Sequence, residues 1–383
     1  MNQEQLLQLF YDFHEHPETG HQEFRTTKVL KEILTGLGAE LLPLSLPTGV
    51  IAVVRGKRPG KSLLVKADID GLPITEQTGL PYASQIPGKM HACGHDFHMA
   101  ATLGVVDFLA RHKEVFSGNV YFVFEPAEEV TGGAVELLDT GNVPPCTEFL
   151  GFHGDPSLPA GTLGLKVGSV MASTDTFRIT LKGVECHAAM PHKGKNPIPL
   201  LFGLGQELTD FAGQGIDPIH SYVLSITEVH AGESWNIIPQ EGWLGGTIRC
   251  ENPEDRLLLK QNLYKLSKGY AAIHGAGCDI YWHAGAPAVV NDESFVEAAR
   301  ATALKAGWTV VPAQLQMTGD DFSHYKIYAE KAAPTASSLL SLYIKIGIGV
   351  GAPLHNAGFK ADPAVLSPFA SYLAELIQQR LEA

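Results

Sequence analysis

The sequence predicts an α/β protein of two domains. Segments with helical apolar spacing alternate with short β-branched runs at both ends of the chain, while the middle changes to longer, half-exposed strands. The length of 383 residues also exceeds what one core usually fills. Helical spacing covers residues 2–14 and 26–37, the second ending at Gly36 and Gly38. Short apolar runs at 50–54 and 62–67 read as strands, followed by a helix at 100–111 and a strand at 120–124. From about Asp175 the segments TFRITLKG, SYVLSITEVHAG and WLGGTIRC alternate like antiparallel strands, with helices at 197–213 and 253–274. This predicts an α+β insert of two helices on a small antiparallel sheet at 174–286, hinged at about Ser173 and Pro287. It divides the main domain into 1–173 and 287–383, where a helix at 292–306, a strand at 339–347 and a final helix from about Pro363 follow.

Composition narrows the classes of function. With 45% hydrophobic and 18% charged residues the chain is ordinary globular material. A formal charge of -13, without a basic run to reverse it locally, argues against nucleic acid as a partner. The five cysteines, Cys93, Cys146, Cys186, Cys250 and Cys278, are odd in number and scattered, which suits a reducing compartment. The start MNQEQLLQLFYDFHEHPE lacks the features of a signal peptide, and the apolar run 339–354 is broken by Lys345 and three glycines. A cytoplasmic protein without a membrane span is expected.

The chemistry concentrates at residues 90–101, MHACGHDFHMAA, where His91, Cys93, His95, Asp96 and His98 crowd into one segment. Imidazole and thiolate suit borderline-soft divalent metals, and a Cys and a His two apart on an irregular loop can both face one ion. The plain alternative is a buried cysteine beside helix-cap histidines. Other polar groups sit where predicted strands end. Asp68 and Asp70 lie in KADIDGLP, where they bind a ligand or merely cap the turn. Glu125, Glu128 and Glu129 cluster in EPAEEV, and such acids repel unless a cation or a proton relieves them. His153 follows another apolar run, a credible further ligand in that company. The insert contributes His187, His192, Asn236 and Arg249, residues that would ordinarily be satisfied surface groups.

Taken in order, HPETG, ADIDGLP, MHACGHDFH, EPAEE, CHAAMPH, GTIR, TGDDF and PLHNAG span nearly the whole chain. This series resembles the amidohydrolase branch of the aminoacylase and carboxypeptidase metallopeptidase family, which includes hippurate hydrolases, auxin-conjugate hydrolases and N-acetyldiaminopimelate deacetylases. The resemblance implies a catalytic domain with a central mixed sheet flanked by helices. It also implies an inserted lid and dimerisation domain of two helices on a four-stranded antiparallel sheet, hence a homodimer. Carried over by motif, Cys93, His95, Glu129, His153 and His355 resemble the ligands of two divalent ions per subunit, Zn, Mn, Co or Ni. Glu128 resembles the general base, Asp70 an orienting aspartate, and His187 the lid histidine that reaches the substrate carbonyl. Arg249 and Asn236 fall where the family binds substrate, while Asp68 stands where other branches place a metal histidine.

The implied reaction is metal-dependent hydrolysis of an N-acyl amino acid. The ions would acidify a water, and Glu128 would take its proton and pass it to the departing amine. Glu128 and Glu129, read as extended chain, would point to opposite sides. The run from ADIDGLP to MHACGHDFH is most similar to the diaminopimelate members, which makes N-acetyl-LL-2,6-diaminopimelate the expected substrate, in lysine biosynthesis. Asp155 is assigned to its distal amine. Departures from the family pattern are Glu185 and Cys186 before His187, Asp320 before Asp321, and Gly154 and Asp155 after His153. The alternatives are hydrolysis of hippurate-like acyl amino acids, a di- or carboxypeptidase, and a non-catalytic metal-stabilised binding protein.

Overall fold

The computed structural model describes residues 1–130, 132–332 and 339–382. The chain forms two compact units, one of Met1–Val170, Val290–Gln314 and Asp321–Ala383, the other of Met171–Val289 with Leu315–Asp320.

In the first unit β-branched and aromatic runs, buried on both faces, build an eight-stranded sheet. Its order is Glu40–Leu42, Val50–Arg55, Ser117–Glu125, Arg58–Asp68, Glu148–Asp155, Leu340–Gly347, Thr162–Leu165 and Thr309–Pro312. The sheet is mixed. Arg58–Asp68 runs parallel to both neighbours and Leu340–Gly347 parallel to Glu148–Asp155, whereas Val50–Arg55 is antiparallel. Parallel pairing sets the carboxyl ends side by side, with Asp68 opposite Glu125 and Gly347 opposite Asp155.

The helix His95–Arg111 is buried almost all round, as its run of Ala, Val, Leu and Gly requires. It packs between the helices Gln3–Glu15 and Leu366–Glu382, and a side chain at Gly104 would meet Ala370 Cβ at 2.8 Å. The helix begins five residues before the expected start at residue 100, because Gly94 turns the chain with a φ of 84°. The metal motif is therefore half loop and half helix.

In the second unit the antiparallel sheet runs Tyr222–Ala231, Glu241–Cys250, Ser173–Lys182 and Gly277–Ala284. Phe177, Ile179 and Leu181 alternate inward from the central strand and pack with Leu201, Leu204 and Leu208 of the helix Pro197–Phe211 and with Leu259 and Leu263 of Pro253–Ile273. The second unit extends the expected 174–286 by three residues at each end and adds the distant segment Leu315–Asp320. The backbone N–H of Ala172 donates to the carbonyl of Gln316 at 2.9 Å, a pairing between distant backbone segments that leaves no periodic signal in side chains. Among the described residues no helix is long and apolar enough to cross a membrane, and all five cysteines are free thiols.

Candidate metal centre

The polar groups that the sequence scatters over some two thirds of the chain meet along the carboxyl edge of the large sheet. Three overlapping groups, Cys93 with His95 and His153, Cys93 with Glu129 and His355, and His95 with Glu128 and Glu129, each bring their ligand atoms within 4.8 Å of one another. Their union is the five expected ligands and the expected base, all contributed by the first unit.

Each side chain is held by its local fold. His95 opens its helix, and its Nδ1 lies 2.8 Å from the Asp70 carbonyl and 3.2 Å from Asp70 Oδ1. Both oxygens can only accept, so Nδ1 carries a proton. Burial opposes a charged ring, but Asp70 and Cys93 outweigh it and raise His95 well above its ordinary pKa, so a metal at Nε2 would have to displace the second proton. That Nε2 is buried without a hydrogen-bond partner. Asp70 also accepts the backbone N–H of Glu129 through Oδ2 at 3.0 Å, tying two ligand segments together. His153 gives its Nδ1 proton to the Gly154 carbonyl at 2.8 Å and turns Nε2 to within 3.3 Å of Cys93 Sγ. His355 arrives from far downstream with a left-handed φ of 60°, pinned by its N–H to the Ala92 carbonyl at 2.8 Å. Its Nε2 stands 3.2 Å from Glu129 Oε1, while His95 Nε2 stands 3.9 Å from the same oxygen.

Electrostatics fit a cation. Burial pushes the Cys93 thiol well above its ordinary pKa, so a thiolate there requires a positive partner. Burial likewise holds His153 well below its usual value, as the neutral imidazole a metal needs. Burial opposes ionisation of Glu129, yet His355 and His95 outweigh it and hold the carboxyl low. A buried thiol, ring nitrogens and a carboxylate converging in this way are the mixed donor set that divalent transition ions take, and the residues present fit them.

One expectation is corrected. Glu128 and Glu129 lie in a 3-10 turn, Glu128–Val130, not in extended chain, so alternation across a strand is not what separates their roles. Both carboxylates approach His95 from this turn, which the left-handed Ala127, with a φ of 59°, initiates. Glu125, by contrast, is fully buried at the end of a strand. It joins Lys66, Asp68, Asp321 and Tyr325 in a buried network that adjoins the ligand set through Asp68, whose carboxylate lies within 4.8 Å of the His95 and His98 ring nitrogens.

The expected substrate residues of the insert lie in the second unit. His187 and Asn236 are brought together there, since Ile237 pairs with His187 and the Ala188 N–H donates to the Asn236 carbonyl at 2.9 Å. Arg249 sits near the carboxyl end of the interior strand Glu241–Cys250, opposite Val223 and Thr174. Asp155, at the end of its strand, already accepts the Ser157 N–H at 2.8 Å and hydroxyl at 2.6 Å. Sequence reasoning assigned no role to Lys66 or Glu23, which the structure buries beside the site's supporting loops. A lone lysine inside an apolar strand was the available signal for the first.

The family described as Peptidase family M20/M25/M40 matches residues 64–379. The chain is 37% identical over 372 residues to an N-acetylcysteine deacetylase of Bacillus subtilis (strain 168), covering 97% of this chain and 95% of that protein. It is 34% identical over 320 residues to an N-acetyldiaminopimelate deacetylase of Listeria monocytogenes serotype 4a (strain HCC23), covering 82% of this chain and 85% of that one. Among solved structures, the Bacillus subtilis YXEP protein, a dinuclear metal binding peptidase from the M20 family, superposes with a TM-score of 0.87 at 34% identity, covering 99% of this chain and 98% of that one. Matched over most of its length, and carrying a convergent thiol, imidazole and carboxylate set, the chain belongs to peptidase family M20/M25/M40 as a metal-dependent amidohydrolase.

Proposed function

We propose that the chain removes the acetyl group from an N-acetylated amino acid, with Cys93, His95, Glu129, His153 and His355 holding two divalent ions. The convergence of these five side chains with Glu128 on one sheet edge carries this reading. Bound there, the ions would supply Lewis acidity for the acyl carbonyl and lower the pKa of a water. Glu128 takes the proton from the attacking water and returns it to the departing amine, which is the work of a carboxylate that is adjacent to the ligands without being needed as one. Asp70 orients His95 through Nδ1 and anchors the turn that presents both glutamates. His187 donates to the developing oxyanion, and Arg249 with Asn236 binds the substrate's α-carboxylate, for which an acidic protein needs a local cation.

N-acetyl-LL-2,6-diaminopimelate remains the substrate of choice, with the free oxygen of Asp155 recognising its distal amine and lysine biosynthesis as the setting. The second reading is N-acetyl-L-cysteine, favoured by the higher identity and fuller coverage of the relative named for that activity. The insert is assigned to dimerisation, supported by its exposed Phe202, Ile219, Trp235 and Ile273. A reducing cytoplasm suits its free thiols.

Acetate release from both acetyl amino acids, from hippurate and from dipeptides by metal-reconstituted protein tests this, with Glu128→Ala as control. Deacetylation that vanishes in Glu128→Ala without loss of metal is expected. Turnover of dipeptides alone would overturn the deacetylase reading, and unchanged turnover by Glu128→Ala would remove its base.

A further inference from the structure

The strand Glu148–Asp155 carries His153, but its pairing with Arg58–Asp68 stops at Val65 opposite Leu150. Beyond that point the two strands part, although on its other side the strand stays paired with Leu340–Gly347 as far as Asp155. Gly154 thus has an N–H and a carbonyl without a strand to receive them on the parted side, since both groups of one residue in a strand point the same way.

His98 fills the gap. It lies one helical turn after His95, fully buried, with its ring 4.8 Å from that of His153. Its Nδ1 stands 3.2 Å from Asp68 Oδ2, and the Gly154 N–H points to its Nε2 at 3.4 Å. Asp68 is in turn paired with the Lys66 ammonium at 2.8 Å. A carboxylate can only accept, so Nδ1 carries the His98 proton, and Nε2 is then free to accept from Gly154. The Gly154 carbonyl receives the Nδ1 proton of His153, which leaves His153 Nε2 bare at 3.3 Å from Cys93 Sγ.

We infer that His98 is a positioning residue which, acting from Asp68 through the two polar groups of Gly154, fixes the tautomer and direction of His153 for metal binding. The inference rests on the reading of His153 as a ligand and extends it. Other branches of this arrangement would leave His98 a space-filling ring against Phe152, 5.2 Å away. That role predicts loss of stability without change in the ring chemistry of His153.

The test uses the full chain as His98→Ala, His98→Asn and His153→Ala, with metal content, zinc affinity, thermal unfolding and, in the metal-free state, 15N ring shifts of His153. Asn keeps a donor for Asp68 but is too short to serve Gly154, so it covers the case in which Ala disturbs folding. In the wild type His153 should show a single Nδ1–H tautomer. In both His98 variants that tautomer should mix, with zinc affinity at the site weakened about 10- to 100-fold. His153→Ala should lose the metal outright. If His153→Ala binds metal as the wild type does, the ligand reading fails. If His153→Ala loses metal while both His98 variants keep wild-type affinity and an unmixed His153 tautomer, the ligand reading stands and the positioning role is overturned.

Discussion

Lys66→Met removes the ammonium from the buried network beside the candidate metal centre. Lys66 is 3% exposed, and its Nζ lies 2.8 Å from Asp68, 2.7 Å from Asp321 and 3.6 Å from Glu125. Burial, with Asp321 adding to it, pushes Glu125 well above the ordinary carboxyl range, so that group keeps its proton and takes a hydrogen bond from the Tyr325 hydroxyl. Burial also opposes ionisation of Asp68 and Asp321, but the ammonium outweighs it and holds both below their usual values. Met keeps the length of the side chain and removes the ammonium, leaving Asp68 with the His98 ring N–H and Asp321 with the Ala134 N–H in place of a full positive charge. The expected loss is about 3–5 kcal/mol, that of breaking a buried pair from one side. Its sign with pH follows. In the wild type depressed carboxyls contribute stability above their unfolded pKa, which is lost on acidification. In the variant burial dominates, the same carboxyls rise above their unfolded pKa, and protonation favours the folded state. Urea unfolding followed by circular dichroism on chelated protein from pH 8 to pH 5 measures this, and the gap between the two proteins should narrow toward acid. A loss under about 1 kcal/mol at pH 7, the scale of an exposed pair, or a gap that does not narrow would refute the reasoning.

Glu23, whose buried Oε1 accepts the N–H of the left-handed Ala127 at 2.8 Å, holds the turn that presents Glu128 and Glu129. Glu23→Ala should lower kcat about 100-fold through misplacement while Glu23→Gln, which keeps an acceptor, retains most of it; equal rates in initial-velocity assays would refute the clamp. A side chain at Gly133 would lie 2.1 Å from the Pro126 carbonyl, so Gly133→Ala should destabilise by about 1–3 kcal/mol in thermal unfolding. Burial lowers the pKa of His14, yet its hydrogen bonds to Asp96 and Glu76 outweigh burial and push it up to about 10. Glu76, also opposed by burial, is held down to about 2 by His14 and its neighbours. The stability difference between wild type and His14→Gln should therefore be largest between the unfolded pKa values of about 4.5 and 6.5. It should fall away as pH rises through about 10, where His14 loses its proton, and as pH drops toward about 2, where Glu76 gains one, in melts across that range.

Local sequence carried the alternating architecture and the chemistry of the donors. Helical spacing and β-branched runs are properties of neighbouring residues, so most helices and about half of the strands were legible to within a few positions, while the helices Gly133–Asp139 and Ser323–Ala332 were not. So was the presence of thiol, imidazole and carboxylate at the ends of apolar runs, because open α/β sheets place their sites there. The family resemblance selected the five proposed ligands and the proposed base from among those groups; spacing alone did not decide whether Asp68 and Asp70 bind a ligand or cap a turn.

Tertiary structure decided which acids face a metal and which face a lysine. Asp68 and Glu125 lie opposite one another across two parallel strands and close on Lys66, while Glu129, four residues beyond the end of the strand Ser117–Glu125, meets His355, more than 200 residues away. Register and the left-handed turn at Ala127 set that partition, and neither is a property of nearby residues. His98 was visible as one more histidine in a crowded motif, but its partner is a backbone group exposed only where two strands part. The crowded motif at residues 90–101 pointed to a metal from sequence alone; only the packing of the sheet determined which thiol, imidazole and carboxylate groups converge and which lie behind them, because distances between side chains far apart in sequence are created by the fold.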